Sequence, residues 1–332
     1  RGKRMTNLDQ AASARRLTLP GRLGSVGQAY GALIALIVLV LYNVLFTPNF
    51  LAAQTLNINL TQVATIVIVA TGMTLVIATG GIDLSVGSLM AISGALAPII
   101  FLGKLVPLNP LVGTALAFIV PVLVAGLFGL FNGVLVTTFR IQPIVATLVL
   151  FIAGRGIAQV VTNGNLQAFR NPGFQYIGLG RPLGIPFQAI LMLLIVALVA
   201  WVMRTTVFGR YILATGGNEA AARLAGVPVN QVKRMVYVIS GLLAGLAGLI
   251  VIAINSSSDA NLVGLNMELD AIAAVAVGGT TGGRVTIVGT LIGALIIQLI
   301  RFTLLAQGVP FAVAQVINAA IILVAVYIQS QR

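Results

Sequence analysis

Only six acidic side chains occur in 332 residues, and three of them, Asp83, Glu268 and Asp270, interrupt apolar stretches. An acid in such a setting can answer a buried cation, hydrogen-bond a polar solute or cap a helix. Asp83 follows Gly80 and Gly81 in TGMTLVIATGGIDLSVGSLMAISG (Thr71–Gly94), and no charged residue stands between Leu23 and Ile82. Paired glycines weaken a helix, and an Asp after them can cap a new one. The pattern therefore predicts an apolar helix ending near Thr79, a break, and a second apolar helix from Leu84. Two readings of Asp83 stand side by side: a helix cap near the membrane surface, or a group lining a solute pathway. A broken membrane helix is tolerated where protein or a water-filled cavity satisfies the freed backbone. Other polar groups near predicted breaks are Ser85, Asn132, Gln159, Asn163 and Asn266. With the three acids they form the set of pathway candidates, although each could equally serve a neighbouring backbone group.

A second stretch, GGNEAAARLAGVPV (Gly216–Val229), has the order of a short capped helix. Asn218 is a good N-cap, and Glu219 puts negative charge at the positive helix end. Ala220–Ala222 favour helix, and Glu219 and Arg223 stand four apart in the favourable order. Gly226 suits the position after the helix, and Pro228 stops it. Leu224, Ala225 and Val227 give it a small apolar face. It reads as a helix docking a cytoplasmic partner, or else as an ordinary loop helix.

Catalytic and metal chemistry find no support in the residue types. Histidine and cysteine are absent, so no imidazole or thiolate site is available. There is no G-x-x-x-x-G-K-[ST], no zinc pattern and no G-x-S-x-G. We assign no catalytic residue, no metal and no cofactor to this chain.

The elements that must carry these residues are membrane spans. The chain is 59% hydrophobic and 8% charged, against roughly 25% charged in a soluble domain. The net charge of +13 comes from basic residues in loops between apolar runs, which is a topology signal. Nucleic acid is set aside, because no basic run is interleaved with stacking aromatics. The reading is an all-α polytopic bundle of about ten transmembrane segments, with broken or short helices near Gly80–Asp83 and Glu268–Arg284. Residues 1–28 form a basic cytoplasmic tail, and 29–332 a single membrane domain with a charged loop at 204–234. The piece Leu269–Val277 is too short to cross by itself. Asn163–Gln188 reads as irregular or short-strand structure. Lys104, Arg170 and Arg181 are the cations of the segments read as outer, and most others fall on the opposite side. That bias predicts both termini in the cytoplasm. A faint echo links ATGGIDLSVGS (Ala78–Ser88) with AVGGTTGGRVTIVGT (Ala276–Thr290): apolar helix, Gly-Gly, restart.

The Thr71–Gly94 stretch, IQPIVATL (Ile141–Leu148) and GGNEAAARLAGV together resemble the membrane-spanning permeases of bacterial ABC sugar importers of the ribose, xylose, arabinose and galactofuranose type. AGRGIAQ (Ala153–Gln159) and the ending VYIQSQR are most similar to the galactofuranose permease. The resemblance runs from the first span to about Gln331. It implies a monosaccharide delivered by a periplasmic binding protein, a second permease, identical or homologous, and ATPase subunits holding ATP and Mg. It implies the inner membrane as location and lipid as surroundings. It matches Asn218–Val227 to the coupling helix, so Asn218, Glu219, Ala220, Ala221, Arg223, Leu224, Gly226 and Val227 are the ATPase-coupling candidates. The Ile-x-Leu-Pro continuation found in many importers is missing here. Rival readings are a branched-chain amino-acid or other small-solute permease, an ion-coupled carrier, and a membrane scaffold. The scarcity of charged path residues argues mildly against a zwitterionic substrate.

Overall fold

The computed structural model describes residues 22–104, 106–278, 280–281, 284–317 and 319–320. The basic tail up to residue 21, Gly282 and Gly283, and the end of the chain lie outside the described residues. Helices account for nearly all of the regular structure, and each interruption falls where the sequence carries Gly, Pro or a capping side chain. The order is α1 (Arg22–Phe46), α2 (Ala53–Ala78), α3 (Val86–Phe101), α4 (Pro110–Thr137) and α5 (Pro143–Thr162). Then come β1 (Gln167–Ala168), α6 (Pro172–Leu179), α7 (Phe187–Thr205), α8 (Val207–Gly217) and α9 (Glu219–Leu224). The rest is α10 (Val229–Asn255), β2 (Ser257–Ser258), α11 (Met267–Gly278), β3 (Thr280–Thr281), β4 (Arg284–Val285) and α12 (Ile287–Ala306).

Among the described residues, six helices are long and apolar enough to cross a membrane: α2, α4, α5, α7, α10 and α12. The apolar parts of α1 and α3 are shorter. At 1.5 Å per residue, the 12 residues of α11 reach only about 18 Å, against a hydrocarbon core of about 30 Å. This is an all-α membrane protein.

The bundle is built around α2 and α10, which pack on each other. Along α2 almost every residue from Val63 to Ala78 is buried, with no polar face; a helix apolar all round belongs inside a bundle. By contrast α4, α5 and α7 keep long apolar faces exposed, as lipid-facing helices do. Small residues let α10 approach α4: a side chain at Gly129 or Gly241 would run into backbone of the other helix.

Two elements replace expected loops. Within Asn163–Gln188, α6 starts at Pro172 with Asn171 as cap, its Oδ1 accepting from the Phe174 N–H at 3.1 Å. Asn followed by Pro is a helix-start signal, outweighed in the sequence reading by the surrounding Gly and Pro. Phe174 anchors α6, stacked on Phe118 and packed against Phe101 and Phe169. The short-strand part of that expectation holds only for β1, which pairs antiparallel with β2. In the 204–234 stretch, α8 precedes α9 and is capped by Thr206, whose Oγ1 accepts from the Gly209 N–H at 3.2 Å. The expected new helix after Asp83 begins at Val86, two residues later than Leu84.

Candidate functional site

The break after α2 is closed by side chains from three other helices. Thr79 ends α2, and Gly80 takes φ +78°, where a side chain would be strained. Asp83 is fully buried. Its Oδ1 accepts from the Ser85 N–H at 3.1 Å and the Ser85 hydroxyl at 2.6 Å. Its Oδ2 accepts from the Ser240 hydroxyl of α10 at 2.8 Å. Asn132 of α4 donates through Nδ2 to Ser85 Oγ at 2.8 Å. The Leu84 N–H donates to Thr147 Oγ1 of α5 at 3.1 Å, and the Tyr237 hydroxyl of α10 reaches the Ile82 carbonyl at 3.4 Å. Three candidates from the sequence, Asp83, Ser85 and Asn132, are thus one hydrogen-bonded unit. Asp83 serves Ser85 just before α3, not the first turn of that helix. Ser240, Thr147 and Tyr237 were not legible as partners, because nothing local marks them.

The short helix α9 has the capping expected of it. Asn218 Oδ1 accepts from the Ala221 N–H at 3.0 Å. At the other end Gly226 has φ +81°, its N–H donates to the Arg223 carbonyl at 3.1 Å, and that of Val227 to the Ala222 carbonyl at 3.0 Å. These two bonds make a Schellman ending, which needs the left-handed conformation that glycine adopts freely. Glu219 pairs with Arg223 at 2.7 Å and with Lys233 of α10 at 2.6 Å. The hydrogen bond from Lys233, then that from Arg223, holds the Glu219 carboxyl below its ordinary range, so it is charged at neutral pH. Leu224 is 91% exposed, while Ala222 is buried underneath. Next to it, α8 rests on the end of α2: a side chain at Gly216 would be driven into the carbonyl of Ala78. The helix that precedes α9 is therefore seated on the end of α2, where the break begins.

The remaining candidates lie on α5 and its end, on the loop before α11, and on α11 itself. Gln159 donates to Asn261 Oδ1 at 2.6 Å. Asn163 and Asn266 are exposed with φ of +51° and +61°, a region Asn tolerates better than most residues. Asn163 ends α5, and the Asn266 carbonyl accepts from Leu269 and Asp270 as α11 begins. Glu268 is buried beside the start of α3, where a side chain at Gly87 would run into its Oε2, and that oxygen has no hydrogen-bond partner among the described residues. Asp270 is instead paired with Arg301 of α12, whose Nη2 is 2.9 Å from both carboxylate oxygens. Arg155, absent from the candidate set, clamps the loop before α11: its Nη1 donates to the carbonyls of Ala260, Asn261 and Val263 at 2.8, 2.9 and 3.2 Å. A lone cation inside an apolar span was the available signal.

Comparison with known proteins decides what such a bundle is. The family described as "Branched-chain amino acid transport system / permease component" matches residues 54–326. The chain belongs to this permease family. Its relatives include the ribose import permease protein RbsC of Escherichia coli K12, 44% identical over 308 residues, covering 91% of this chain and 93% of the relative. The galactofuranose transporter permease protein YtfT of the same strain is 41% identical over 314 residues, covering 90% and 89%. The fructose import permease protein FruF of Bifidobacterium longum is 35% identical over 317 residues, covering 91% and 87%. A permease of this family is a multi-pass membrane protein and a transport component, in keeping with the apolar helices described above.

Proposed function

We propose that this permease is the membrane-spanning subunit of an ATP-driven importer in the bacterial inner membrane, passing a monosaccharide delivered by a periplasmic binding protein. The observation that carries this reading is identity of 44% and 41%, over about nine-tenths of the chain, to permeases named for ribose and galactofuranose. Those names favour a sugar over a branched-chain amino acid or an ion-coupled solute. Ten segments, counting α11 and a last one from Phe311, put both termini in the cytoplasm together with α9. ATP and Mg belong to partner ATPase subunits, and a second permease, the same or homologous, completes the channel.

In this reading α9 is the ATPase contact. Leu224 offers the apolar surface, Val227 packs half-buried against the core beneath it, Asn218, Gly226 and the Ala220–Ala221 turn fix the helix, and Glu219 and Arg223 tie it to α10. Movement of α9 reaches the break through the contact of Gly216 with Ala78. Asp83, Ser85 and Asn132 brace the inner end of the pathway. Gln159 and Asn163 stand toward its outer end, Asn266 and Glu268 lead into α11 beside the start of α3, and Asp270 holds α11 in place.

The test is ATPase activity and uptake by the reconstituted complex, with and without sugar-loaded binding protein. Glu219→Lys loses both ion pairs, and Gly226→Val puts a β-branched residue at positive φ. Both variants are expected to insert and fold, yet to lose most of the stimulation by binding protein. Wild-type stimulation and uptake in both would make α9 a plain connector.

A further inference from the structure

Beside α9 the protein opens a cleft of about 750 Å³ between the α4–α5 connection and the start of α10. Four cations line it, Arg140, Arg223, Lys233 and Arg234, against the single carboxylate of Glu219. Glu219 is already engaged by Arg223 and Lys233. Arg234 is held by hydroxyls alone: Nε donates to Thr137 Oγ1 and Nη2 to Thr138 Oγ1, both at 2.8 Å. Arg140 makes no hydrogen bond or ion pair among the described residues. Loop cations on one side of a membrane are ordinary. Their convergence on one cleft, with two guanidiniums unanswered by any acid, is not explained by topology. Like charges gathered this way repel one another unless an anion enters. A guanidinium offers a planar fork of donors that fits phosphate.

We propose that this cleft is a binding site for a phosphate-bearing anion, with Arg140 and Arg234 as its principal ligands. Two sources share that chemistry: the headgroup of an anionic phospholipid and a soluble phosphate. The first is favoured by the flank of the cleft, where Phe139 and Ile144 are 66% and 41% exposed and could lie along an acyl chain. The site stands on the geometry of the permease alone, so it is read without ATPase or transport.

The experiment measures binding to the purified full-length permease in a neutral detergent. Short-chain phosphatidylglycerol, short-chain phosphatidylcholine and inorganic phosphate are the probes, followed by thermal shift and native mass spectrometry. Arg140→Asn suits the left-handed backbone at that residue (φ +54°) and removes no contact holding the fold. Arg234→Gln is added in a second variant. Arg210→Gln, a cation of α8 outside the cleft, is the control. Saturable binding of phosphatidylglycerol but not phosphatidylcholine, weakened about tenfold or more by the double substitution and unchanged in the control, supports the lipid source. The same pattern with phosphate alone supports the soluble source. Equal binding by wild type and Arg140→Asn/Arg234→Gln, or an equal loss in the control, overturns the site.

Discussion

After α2 the chain turns through Gly80, Gly81, Ile82 and Asp83 before α3; after α11 it turns through the β3–β4 hairpin before α12. Both begin with Gly-Gly at the end of an apolar helix. The first is closed from outside, by Asn132, Thr147, Tyr237 and Ser240 of three other helices. The second is closed from within, by backbone contact of the two helices it joins. Side chains at Gly289 or Gly293 would be driven into the carbonyls of Gly278 or Ala274, and Thr286 caps α12 by accepting from the Gly289 N–H at 3.1 Å. Next to it, Thr290 of α12 shares a 2.7 Å hydrogen bond with Thr74 of α2. One pattern thus has two physical solutions. Where distant helices roof a break, a buried acceptor is needed to collect their donors. Where consecutive helices fold on each other, the absence of side chains is enough.

The comparison can be broken at three points. The largest effect is expected from Gly293→Val, which forces apart α11 and α12 along their whole contact. Overpacking of this kind costs about 1–3 kcal/mol or more, and with backbone as the obstacle we expect little monodisperse protein on size exclusion. Normal yield and melting temperature would show that α11 is free to move aside. The next effect is at Asp83. Asp83→Ala strands the hydroxyls of Ser85 and Ser240, at about 1–3 kcal/mol for each buried group left unpaired. Asp83→Asn keeps one acceptor for the Ser85 N–H and gives Ser240 a donor to accept from. Thermal unfolding in detergent should therefore rank wild type, Asn, Ala in falling order. An Asn variant as damaged as Ala would mean that the charge itself is required. The smallest effect is at Thr290→Val, which removes one interhelical hydrogen bond of about 0.6 kcal/mol. A shift as large as that of Asp83→Ala would give the second turn a polar anchor of its own.

What could be read from the sequence was what is local. The break at Gly80–Gly81 and the caps of α9 depend on residues within four positions of each other, and they stand where the residue types placed them. The Asp83 unit was visible only as separate polar groups, since Asn132 and Ser240 come from 47 and 157 positions away from their partners. Asp270 stands among the pathway candidates with no partner in view, because Arg301 is 31 positions on. A cation and an acid in neighbouring apolar stretches were the clue to that pair. The helices α6 and α8 carried cap signals at Asn171 and Thr206, but glycine, proline and charge around them spoke for loop. Packing decided otherwise, through the aromatic cluster at Phe174 and the seat of Gly216 on α2.

The Asp270–Arg301 pair also bears on how the chain is made. An unpaired charge costs up to about 2.5–3.5 kcal/mol at the centre of a membrane helix and less toward its ends, where Asp270 and Arg301 stand. The 12 residues of α11 are too few to offset that cost by themselves. As synthesis proceeds, α11 leaves the ribosome before the residue that neutralises it. We expect stable insertion to wait for α12, the two entering the bilayer as a hairpin with the ion pair closing as they do. A substitution of Arg301 would then be felt first in the cell, as chain left unintegrated and degraded, before any effect on transport could be measured.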